Sequence, residues 1–421
     1  MKITEFGLIG EKLPHSYSAE IHKKLRGYDY RLCELKKEEL PLFFEERAFR
    51  GINVTIPYKK DVLPYLSHID PKAKSIGAVN TIVNRGGALF GYNTDYYGLS
   101  SLFSLIGVSP KGKKAMILGT GGTSRTALAV LRDAGAAVIT VVSRTESADT
   151  VSYEKAMTLS DTEILINTTP VGMFPSPDGC PIDLRVFPRL CGVVDAIYNP
   201  LRTNLVLDAR ARGIPAVGGL SMLVAQAQAA SRLFLEEEPN DDREIVRRVT
   251  DEIRKEKENI VLIGMPTSGK STVGKAIALE TGREFFDADA VFEEKCSLSA
   301  ADYIRQNGEE AFRKKETEIL AFCANRSGAV IATGGGAVLK SENKRTLSRN
   351  GRIFFIDRSP EKLLCSGDRP LSATREALKK LYDTRYRLYL DFCDEKVDGD
   401  GTAAETAREI LSRFNAGKED F

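Results

Sequence analysis

The sequence predicts an α/β protein with doubly wound parallel sheets, and three observations support this. Short apolar segments alternate with longer amphipathic segments along most of the chain. Two glycine-rich loops each lie between a predicted strand and a predicted helix. The chain has 421 residues, more than one hydrophobic core usually organises, so we expect two or three domains.

The first hundred residues predict a small α/β domain, residues 1–100. Strand-like runs at Ile52–Ile56 and Ala78–Val83 each end in turn residues. From Lys114 the strands become apolar on both faces, as in a parallel sheet covered on both sides, and we assign residues 101–218 to a doubly wound domain. Its predicted strands are AMILG, VITVVS, EILIN and VVDAI.

Two predicted helices separate this domain from the next parallel-sheet unit. Leu220–Leu235 forms one, which we expect to return to the first domain, so residues 219–256 would complete it. Arg243–Lys255 is rich in charge, but its apolar residues recur at helical spacing. The junction is expected near Lys257, and the strand NIVLIG opens a last domain, residues 257–421.

Composition narrows the classes of function. A net charge of +2 gives no field that favours nucleic acid or an acidic membrane. The seven cysteines are scattered without a CxxC pair, which fits a reducing compartment. The start, MKITEFGLIG, lacks the apolar core of a signal peptide, and polar residues interrupt the most apolar stretch, Val217–Leu235. We therefore expect a cytoplasmic protein that acts on small molecules, with no nucleic-acid or membrane partner.

The segment Gly264–Ser271 matches the phosphate-binding pattern G-x-x-x-x-G-K-[ST]. Its glycines let backbone N–H groups close around phosphate oxygens, and the following helix adds positive partial charge. Lys270 would reach the β- and γ-phosphates, and the Ser271 hydroxyl would bind Mg²⁺. The alternative is a simple glycine-rich turn. The expected ATP contacts are Gly264, Ser268, Gly269, Lys270, Ser271 and Thr272.

Later residues make this site more specific. Asp287 and Asp289 follow the next strand-like run, and Arg313 lies three residues before a Glu, on one helical face. Gly334-Gly-Gly336 follows the strand AVIA, Asp368-Arg-Pro-Leu371 lies in a polar stretch, and Arg385 comes later. In this order, residues from Asn259 to about Phe414 resemble shikimate kinase.

That resemblance implies a P-loop domain like that of the nucleoside monophosphate kinases. It implies that Ser271 and Asp287 hold Mg²⁺ and that Asp289 binds the substrate hydroxyls, with a possible role as proton acceptor. Arg313 and Arg385, aided by Gly335 and Gly336, would hold the shikimate carboxylate, and Arg369 would cover the transferred phosphate. The catalytic set is then Lys270, Asp289 and Arg369. The stretch LLCSGD before Arg369 lacks a basic residue that many family members carry, so weaker nucleotide binding is expected.

The earlier glycine loop, Gly119–Ser124, follows a predicted strand and opens a predicted helix, as in a Rossmann domain. The next strand ends at Ser143-Arg-Thr145, with no acidic residue for a ribose hydroxyl. An arginine there favours NADP(H), because a guanidinium binds the 2′-phosphate. A solvated loop charge is the alternative. The predicted contacts are Gly119, Gly121, Gly122, Thr123, Ser143, Arg144 and Thr145.

Polar clusters at the ends of other strands suit a polyol substrate. They are HSYS at 15–18, GINVTIPYK at 51–59, AVNT at 78–81, GYNTD at 91–95, NTTPVGM at 167–173, DAIYNP at 195–200 and GLSMLVAQ at 219–226. In this order, residues 1 to about 256 resemble shikimate dehydrogenase. The resemblance implies substrate contacts from Ser16, Ser18, Thr55, Asn80, Asp95, Tyr198 and Gln226. It also makes Lys59 and Asp95 the catalytic pair, and it leaves open which of them moves the proton.

Together the two resemblances predict consecutive reactions. The first half would reduce 3-dehydroshikimate to shikimate with NADPH, and the second would phosphorylate shikimate to shikimate 3-phosphate with ATP. Two alternatives stay open: a quinate/shikimate dehydrogenase with a degenerate kinase half, and a metabolite-sensing regulator. A regulator is expected to lose reactive residues, whereas Lys59, Asp95, Lys270, Ser271 and Asp287 are all present.

Overall fold

The computed structural model describes residues 3–13, 16–238, 240–364 and 374–417. The chain divides between Ile253 and Arg254 into two compact units, called unit 1 and unit 2 below. Each unit has its own sheets and cores. No helix among the described residues is both long and apolar enough to cross a bilayer.

Unit 1 begins with a six-stranded mixed sheet. Its strands are β1 (Phe6–Gly10), β2 (Tyr30–Glu34), β3 (Gly51–Val54), β4 (His68–Ile69), β5 (Thr81–Arg85) and β6 (Ala88–Tyr92). They lie in the order β2-β1-β3-β5-β6-β4. The pairings β1–β2, β1–β3 and β4–β6 are parallel, while β3–β5 and β5–β6 are antiparallel.

A second sheet of unit 1 is wholly parallel. It contains β7 (Lys114–Leu118), β8 (Val138–Val142), β9 (Ile164–Asn167), β10 (Gly192–Asp195) and β11 (Ala216–Val217), in the order β11-β10-β9-β7-β8. The chain leaves β7 to form β8 on one side and β9 on the other, so the carboxyl end of β7 is a switch point of the kind where ligands bind. The glycine loop follows β7 at this point.

Helices cover both sheets of unit 1. They are α1 (Ser18–Arg26), α2 (Leu40–Glu46), α3 (Pro71–Ile76), α4 (Asp95–Leu105), α5 (Gly122–Asp133), α6 (Tyr153–Ala156), α7 (Asn204–Ala211) and α8 (Leu220–Leu235). Helix α8 packs against α1 through Val224, Ala227, Ile21 and Leu25. The helix after the doubly wound sheet therefore does return to an N-terminal helix. Helix α9 (Arg243–Lys257) follows and contains the division between the units.

Unit 2 has one parallel sheet. Its strands are β12 (Asn259–Ile263), β13 (Phe285–Asp287), β14 (Val330–Ala332), β15 (Gly351–Asp357) and β16 (Glu395–Asp398), in the order β13-β14-β12-β15-β16. Its helices are α10 (Lys270–Thr281), α11 (Ala288–Cys296), α12 (Ala300–Asn307), α13 (Glu309–Ala324), α14 (Ser341–Ser348), α15 (Arg375–Phe392) and α16 (Ala403–Ala416). Two apolar clusters, one on each face of the sheet, bury the central strand β12 completely.

Candidate active sites

The predicted catalytic pair of unit 1 is assembled in the structure. Lys59 follows β3, and Asp95 is the first residue of α4. The Lys59 ammonium donates a hydrogen bond to Asp95 Oδ2 and forms an ion pair with it. The two side chains are only 17% and 10% exposed, so water screens the pair weakly. A Cβ on Gly122 would lie 3.9 Å from Lys59 Cδ, which places the pair beside the glycine loop.

A buried amide network lies next to this pair. The side-chain oxygen of Asn80 accepts a 2.7 Å hydrogen bond from the backbone N–H of Thr94, which directly precedes Asp95. The Asn80 amide donates to Gln226 Oε1 on α8 at 3.4 Å. Asn53 Nδ2 in turn donates to the Asn80 carbonyl at 3.2 Å. Three predicted substrate contacts, Asn80, Asp95 and Gln226, are thus brought together from three elements.

The remaining predicted substrate contacts occupy other places in unit 1. Ser16 Oγ accepts from the Ser18 backbone N–H at 3.3 Å at the start of α1. Thr55 lies just after β3, where its N–H donates to the Ile9 carbonyl at 3.0 Å. The ring of Tyr198 lies 5.2 Å from that of Tyr17, and burial raises the pKa of the Tyr198 hydroxyl. Within the described residues, no hydrogen bond is found between these side chains and the lysine–aspartate pair.

The predicted dinucleotide loop leaves open space at the start of α5. Gly119 has φ 103°, and a Cβ there would lie 2.9 Å from Thr168 Oγ1, so only glycine fits. A Cβ on Gly121 would meet nothing within 4 Å, which leaves open space over the start of α5. Thr123 lies in the first turn of that helix. Residues Ser143, Arg144 and Thr145 follow β8, and Arg144 is exposed.

Asp195 forms a polar centre that the sequence did not single out. It is fully buried at the end of β10 and accepts hydrogen bonds from Asn167 Nδ2 at 3.0 Å, the Ile197 backbone N–H at 3.0 Å and the Thr203 hydroxyl at 2.6 Å. Burial raises its pKa to about 7, and the three donors oppose this rise. Asn167 also accepts from the Thr169 hydroxyl, so Asp195 ties together the loops after β9 and β10.

In unit 2 the phosphate loop lies between β12 and α10. Gly264 and Gly269 have φ values of 154° and 91°, conformations that favour glycine. Lys270 is buried and donates to the loop's own carbonyls, Gly264 O at 3.0 Å and Met265 O at 2.8 Å. Ser268 is also buried, whereas Thr272 is exposed in the first turn of α10.

The predicted magnesium ligands meet in unit 2. The Ser271 hydroxyl donates to Asp287 Oδ2 at 2.5 Å, and the other carboxylate oxygen accepts from the Asp289 backbone N–H at 3.1 Å. A hydroxyl and a carboxylate oxygen beside a phosphate loop are the ligand types that Mg²⁺ takes. The residues present therefore fit this ion.

The glycines after β14 are surrounded by charged side chains. Arg385 Nη1 and the Tyr389 hydroxyl both donate to the Gly335 carbonyl, at 3.1 Å and 2.6 Å. A Cβ on Gly334 would lie 2.9 Å from both Asp289 Oδ1 and Glu316 Oε1. A Cβ on Gly336 would overlap the guanidinium of Arg313. A side chain at Gly334 or Gly336 would therefore displace these charged groups.

Arg313 is held by a buried carboxylate. Its Nη1 donates to Glu316 Oε2 at 2.7 Å, and its Nε is buried without a hydrogen-bond partner among the described residues. Burial raises the pKa of Glu316 against the effect of Arg313. The three-residue spacing predicted that the two would meet, but sequence reasoning gave Glu316 no role in the site. Arg369, the predicted lid residue, lies outside the described residues.

Comparison with known proteins bears on both units. Residues 8–82 match the family model for the shikimate dehydrogenase substrate binding domain. The shikimate dehydrogenase (NADP(+)) of Clostridium beijerinckii is 38% identical over 249 residues, which cover 55% of this chain and 92% of the relative. The chain belongs to the shikimate dehydrogenase family. Residues 266–415 match the shikimate kinase family model, so it joins a shikimate dehydrogenase to a shikimate kinase domain.

Solved structures give the same family and fold for the shikimate dehydrogenase part. A chorismate mutase/shikimate 5-dehydrogenase fusion protein from Clostridium acetobutylicum is 37% identical with a TM-score of 0.56, covering 60% of this chain and 97% of that one. Shikimate 5-dehydrogenase from Thermus thermophilus, solved with NADP(H) and shikimate, is 33% identical with a TM-score of 0.52. This match covers 59% of the present chain and 100% of the Thermus thermophilus chain.

Proposed function

We propose that this fusion enzyme catalyses two consecutive steps, the NADPH-dependent reduction of 3-dehydroshikimate and the ATP-dependent phosphorylation of the shikimate formed. The observation that carries the proposal is that reactive side chains are assembled in both units. The Lys59–Asp95 pair lies beside the glycine loop of one unit, and Arg313, Arg385 and Asp289 surround the glycines after β14 in the other.

In the dehydrogenase site, Lys59 and Asp95 are proposed as the catalytic pair. NADPH, when bound at the glycine loop, supplies the hydride. The Lys59 ammonium stabilises the negative charge that develops on the carbonyl oxygen of the substrate and provides its proton. Asp95 pairs with the ammonium, balances its charge and fixes its position. Asn80 and Gln226 bind substrate hydroxyls, as do Ser16, Ser18, Thr55 and Tyr198.

We propose NADP(H) rather than NAD(H) as the cofactor. Arg144 follows β8 and is exposed, so its guanidinium is accessible to a 2′-phosphate. Gly119, Gly121 and Gly122 leave room for the pyrophosphate, and Thr123 lies at the start of α5. Ser143 and Thr145 flank the arginine.

In the kinase site, the phosphate loop binds ATP. Ser271 and Asp287 would hold Mg²⁺, which neutralises phosphate charge when bound. Arg313 and Arg385 bind the substrate carboxylate, with Glu316 holding Arg313 in place. Asp289 orients the 3-hydroxyl and accepts its proton as the oxygen attacks the γ-phosphate. Lys270 stabilises the charge on the transferred group, and we retain Arg369 in the same role.

The two proposed activities divide the chain into three domains. We propose residues 1–100 with 219–256 as the substrate domain, 101–218 as the NADP(H) domain and 257–421 as the kinase. We further propose a cytoplasmic location, because both reactions use small cytoplasmic metabolites.

The test is one reaction containing 3-dehydroshikimate, NADPH, ATP and Mg²⁺. NADPH absorbance and shikimate 3-phosphate by mass spectrometry are followed together for the full chain and for Lys59→Met and Lys270→Met variants. We expect the intact chain to form the phosphate. The Lys270 variant should stop at shikimate, and the Lys59 variant should consume no NADPH yet phosphorylate added shikimate, so each variant controls the other.

Other outcomes separate the alternatives. NADPH consumption without phosphate, even from added shikimate, would identify a degenerate kinase half. Faster oxidation of quinate than of shikimate would favour the quinate/shikimate dehydrogenase. Shikimate binding without either product would support the metabolite-sensing regulator and contradict the proposal.

A further inference from the structure

Arg358 lies beside the phosphate loop of unit 2. It directly follows β15, which runs parallel to β12 with Ile263 opposite Phe355. Because parallel strands end at the same edge of a sheet, the chain leaves β15 next to the loop that leaves β12. A Cβ on Gly264 would lie 2.8 Å from the Ile356 carbonyl oxygen, so the two strand ends are in close contact.

The side chain of Arg358 turns towards this loop. A Cβ on Gly269 would lie 3.7 Å from Arg358 Nη1, so the guanidinium lies against the loop immediately before Lys270 and Ser271. Gly269 is also the residue that precedes α10, where the free N–H groups of the first turn favour an anion. The arginine thus adds a fixed positive charge to a place that already binds negative charge.

Nothing in the described part of the chain neutralises this arginine. Its Nε is buried and has no hydrogen-bond partner among the described residues. The neighbouring carboxylates are engaged elsewhere. Asp357 accepts from the Tyr382 hydroxyl at 3.0 Å and from Lys396 at 3.2 Å, and Asp400 accepts from the Ser359 backbone N–H at 2.8 Å.

The backbone around Arg358 is fixed. The Ser359 hydroxyl also donates to Asp400 at 2.9 Å, which ties the residue after Arg358 to the loop that follows β16. A Cβ on Gly399 of that loop would lie 3.2 Å from the Arg358 nitrogen, so the two segments are closely packed. The backbone of Arg358 is thus held in place, and its buried Nε restricts the side chain, so less conformational freedom is lost when the guanidinium binds an anion.

We infer that Arg358 binds the phosphate chain of the nucleotide and is a further cation of the ATP site, in addition to Lys270. This inference rests on the proposed kinase function. A guanidinium is always charged and forms two parallel hydrogen bonds to phosphate oxygens, which a partly buried position strengthens. The stretch LLCSGD before Arg369 lacks a basic residue, which predicts weaker nucleotide binding, and a cation supplied by the end of β15 opposes that effect.

The test measures ATP binding and turnover in the full chain. The dissociation constant of Mg·ATP is determined by calorimetry without shikimate, beside the KM values for ATP and shikimate and the dehydrogenase rate. Three variants are compared: Arg358→Ala, Arg358→Lys, and Arg387→Ala as a matched control, since Arg387 is an exposed arginine of the same unit that pairs with Asp391.

For Arg358→Ala we expect Mg·ATP binding to weaken by about 10- to 100-fold, the range for losing hydrogen bonds to a charged group. The lysine variant should fall between, because it keeps the charge but not the paired geometry. The KM for shikimate, the dehydrogenase rate and all values of Arg387→Ala should change by less than about twofold.

The alternative outcomes are distinct. An unchanged dissociation constant for ATP in Arg358→Ala would overturn the inference, as would a loss of shikimate affinity equal to that of ATP. Should the alanine variant fail to fold, the lysine variant decides in the same way. If the wild-type chain binds ATP tightly but transfers no phosphoryl group, the proposed kinase activity is contradicted, and the role of Arg358 is still decided by the dissociation constants of its variants. If the wild-type chain binds no ATP at all, both the kinase activity and the role of Arg358 are contradicted.

Discussion

Replacing Asp195 by asparagine tests whether its buried carboxylate destabilises unit 1 at neutral and higher pH. The carboxylate is fully buried, and its pKa is raised to about 7 because burial disfavours the charged form. An unfolded aspartate has a pKa near 3.8. Between these two values the folded state binds more protons than the unfolded state, so the free energy of unfolding falls as pH rises from about 4 to about 7.

The expected magnitude follows from this shift. About three pKa units at 1.36 kcal/mol each correspond to about 4 kcal/mol, and relaxation around the charge reduces this to about 2–4 kcal/mol. An asparagine keeps the shape, accepts from Asn167 and Ile197 through its oxygen, and can donate to the rotated Thr203 hydroxyl. We therefore expect Asp195→Asn to exceed the stability of the wild type by about 2–4 kcal/mol at pH 8.5 and by only about 1–2 kcal/mol at pH 5, where the folded carboxyl group is still protonated.

The assay must report on unit 1 alone, because the chain has two units and contains no tryptophan. Hydrogen exchange by mass spectrometry across a urea series, read from peptides that cover β9 and β10, gives that local free energy. Thr203→Val serves as the control, since it removes the 2.6 Å donor while keeping the carboxylate and should destabilise the unit more at pH 8.5 than at pH 5. A stability difference between Asp195→Asn and wild type that is the same at both pH values would refute the reasoning.

Two further predictions concern the kinase half, with the dehydrogenase rate of the same chain as internal control. In Gly336→Ala the new Cβ would overlap the Arg313 guanidinium, so the KM for shikimate should rise by at least about tenfold while ATP binding stays unchanged. An unchanged KM for shikimate would show that Arg313 does not bind the substrate. Glu316→Gln weakens the 2.7 Å hydrogen bond from Arg313, so a steady-state assay should show a several-fold rise in the KM for shikimate, smaller than the rise in Gly336→Ala. A larger rise in Glu316→Gln than in Gly336→Ala would contradict the role of Glu316 in positioning Arg313.

Regular elements with a clear period were predictable from the sequence, because their boundaries depend on local patterns. The helix at Leu220–Leu235 has the predicted limits, and the helix from Arg243 ends at Lys257, two residues later than predicted. Strand ends were predicted less well. The strand β5 begins at Thr81 rather than Ala78, because the backbone N–H groups of Ala78 and Val79 donate to the carbonyls of Ala73 and Lys59, outside the sheet.

The candidate sites depended more on resemblance than on local pattern. Lys59 and Asp95 lie 36 residues apart, and no periodicity predicts their ion pair. Asp195 was predicted inside an apolar strand that ran on to Ile197, whereas β10 stops at Asp195, which accepts the Ile197 N–H. A carboxylate at the end of such a strand gives no sequence signal that distinguishes a buried centre from a turn. Only the tertiary contacts show its three donors.

The hydrogen bonds that Lys270 makes to its own loop affect how tightly the kinase half binds ATP. Lys270 Nζ donates hydrogen bonds to Gly264 O and Met265 O, so the backbone of the loop itself solvates this ammonium. When ATP binds, Lys270 must replace these two hydrogen bonds with bonds to phosphate oxygens. The measured affinity for ATP therefore reflects the difference in free energy between the two sets of hydrogen bonds. The same two hydrogen bonds also stabilise the buried Lys270 ammonium when little ATP is present, because a buried charge without hydrogen-bond partners is costly.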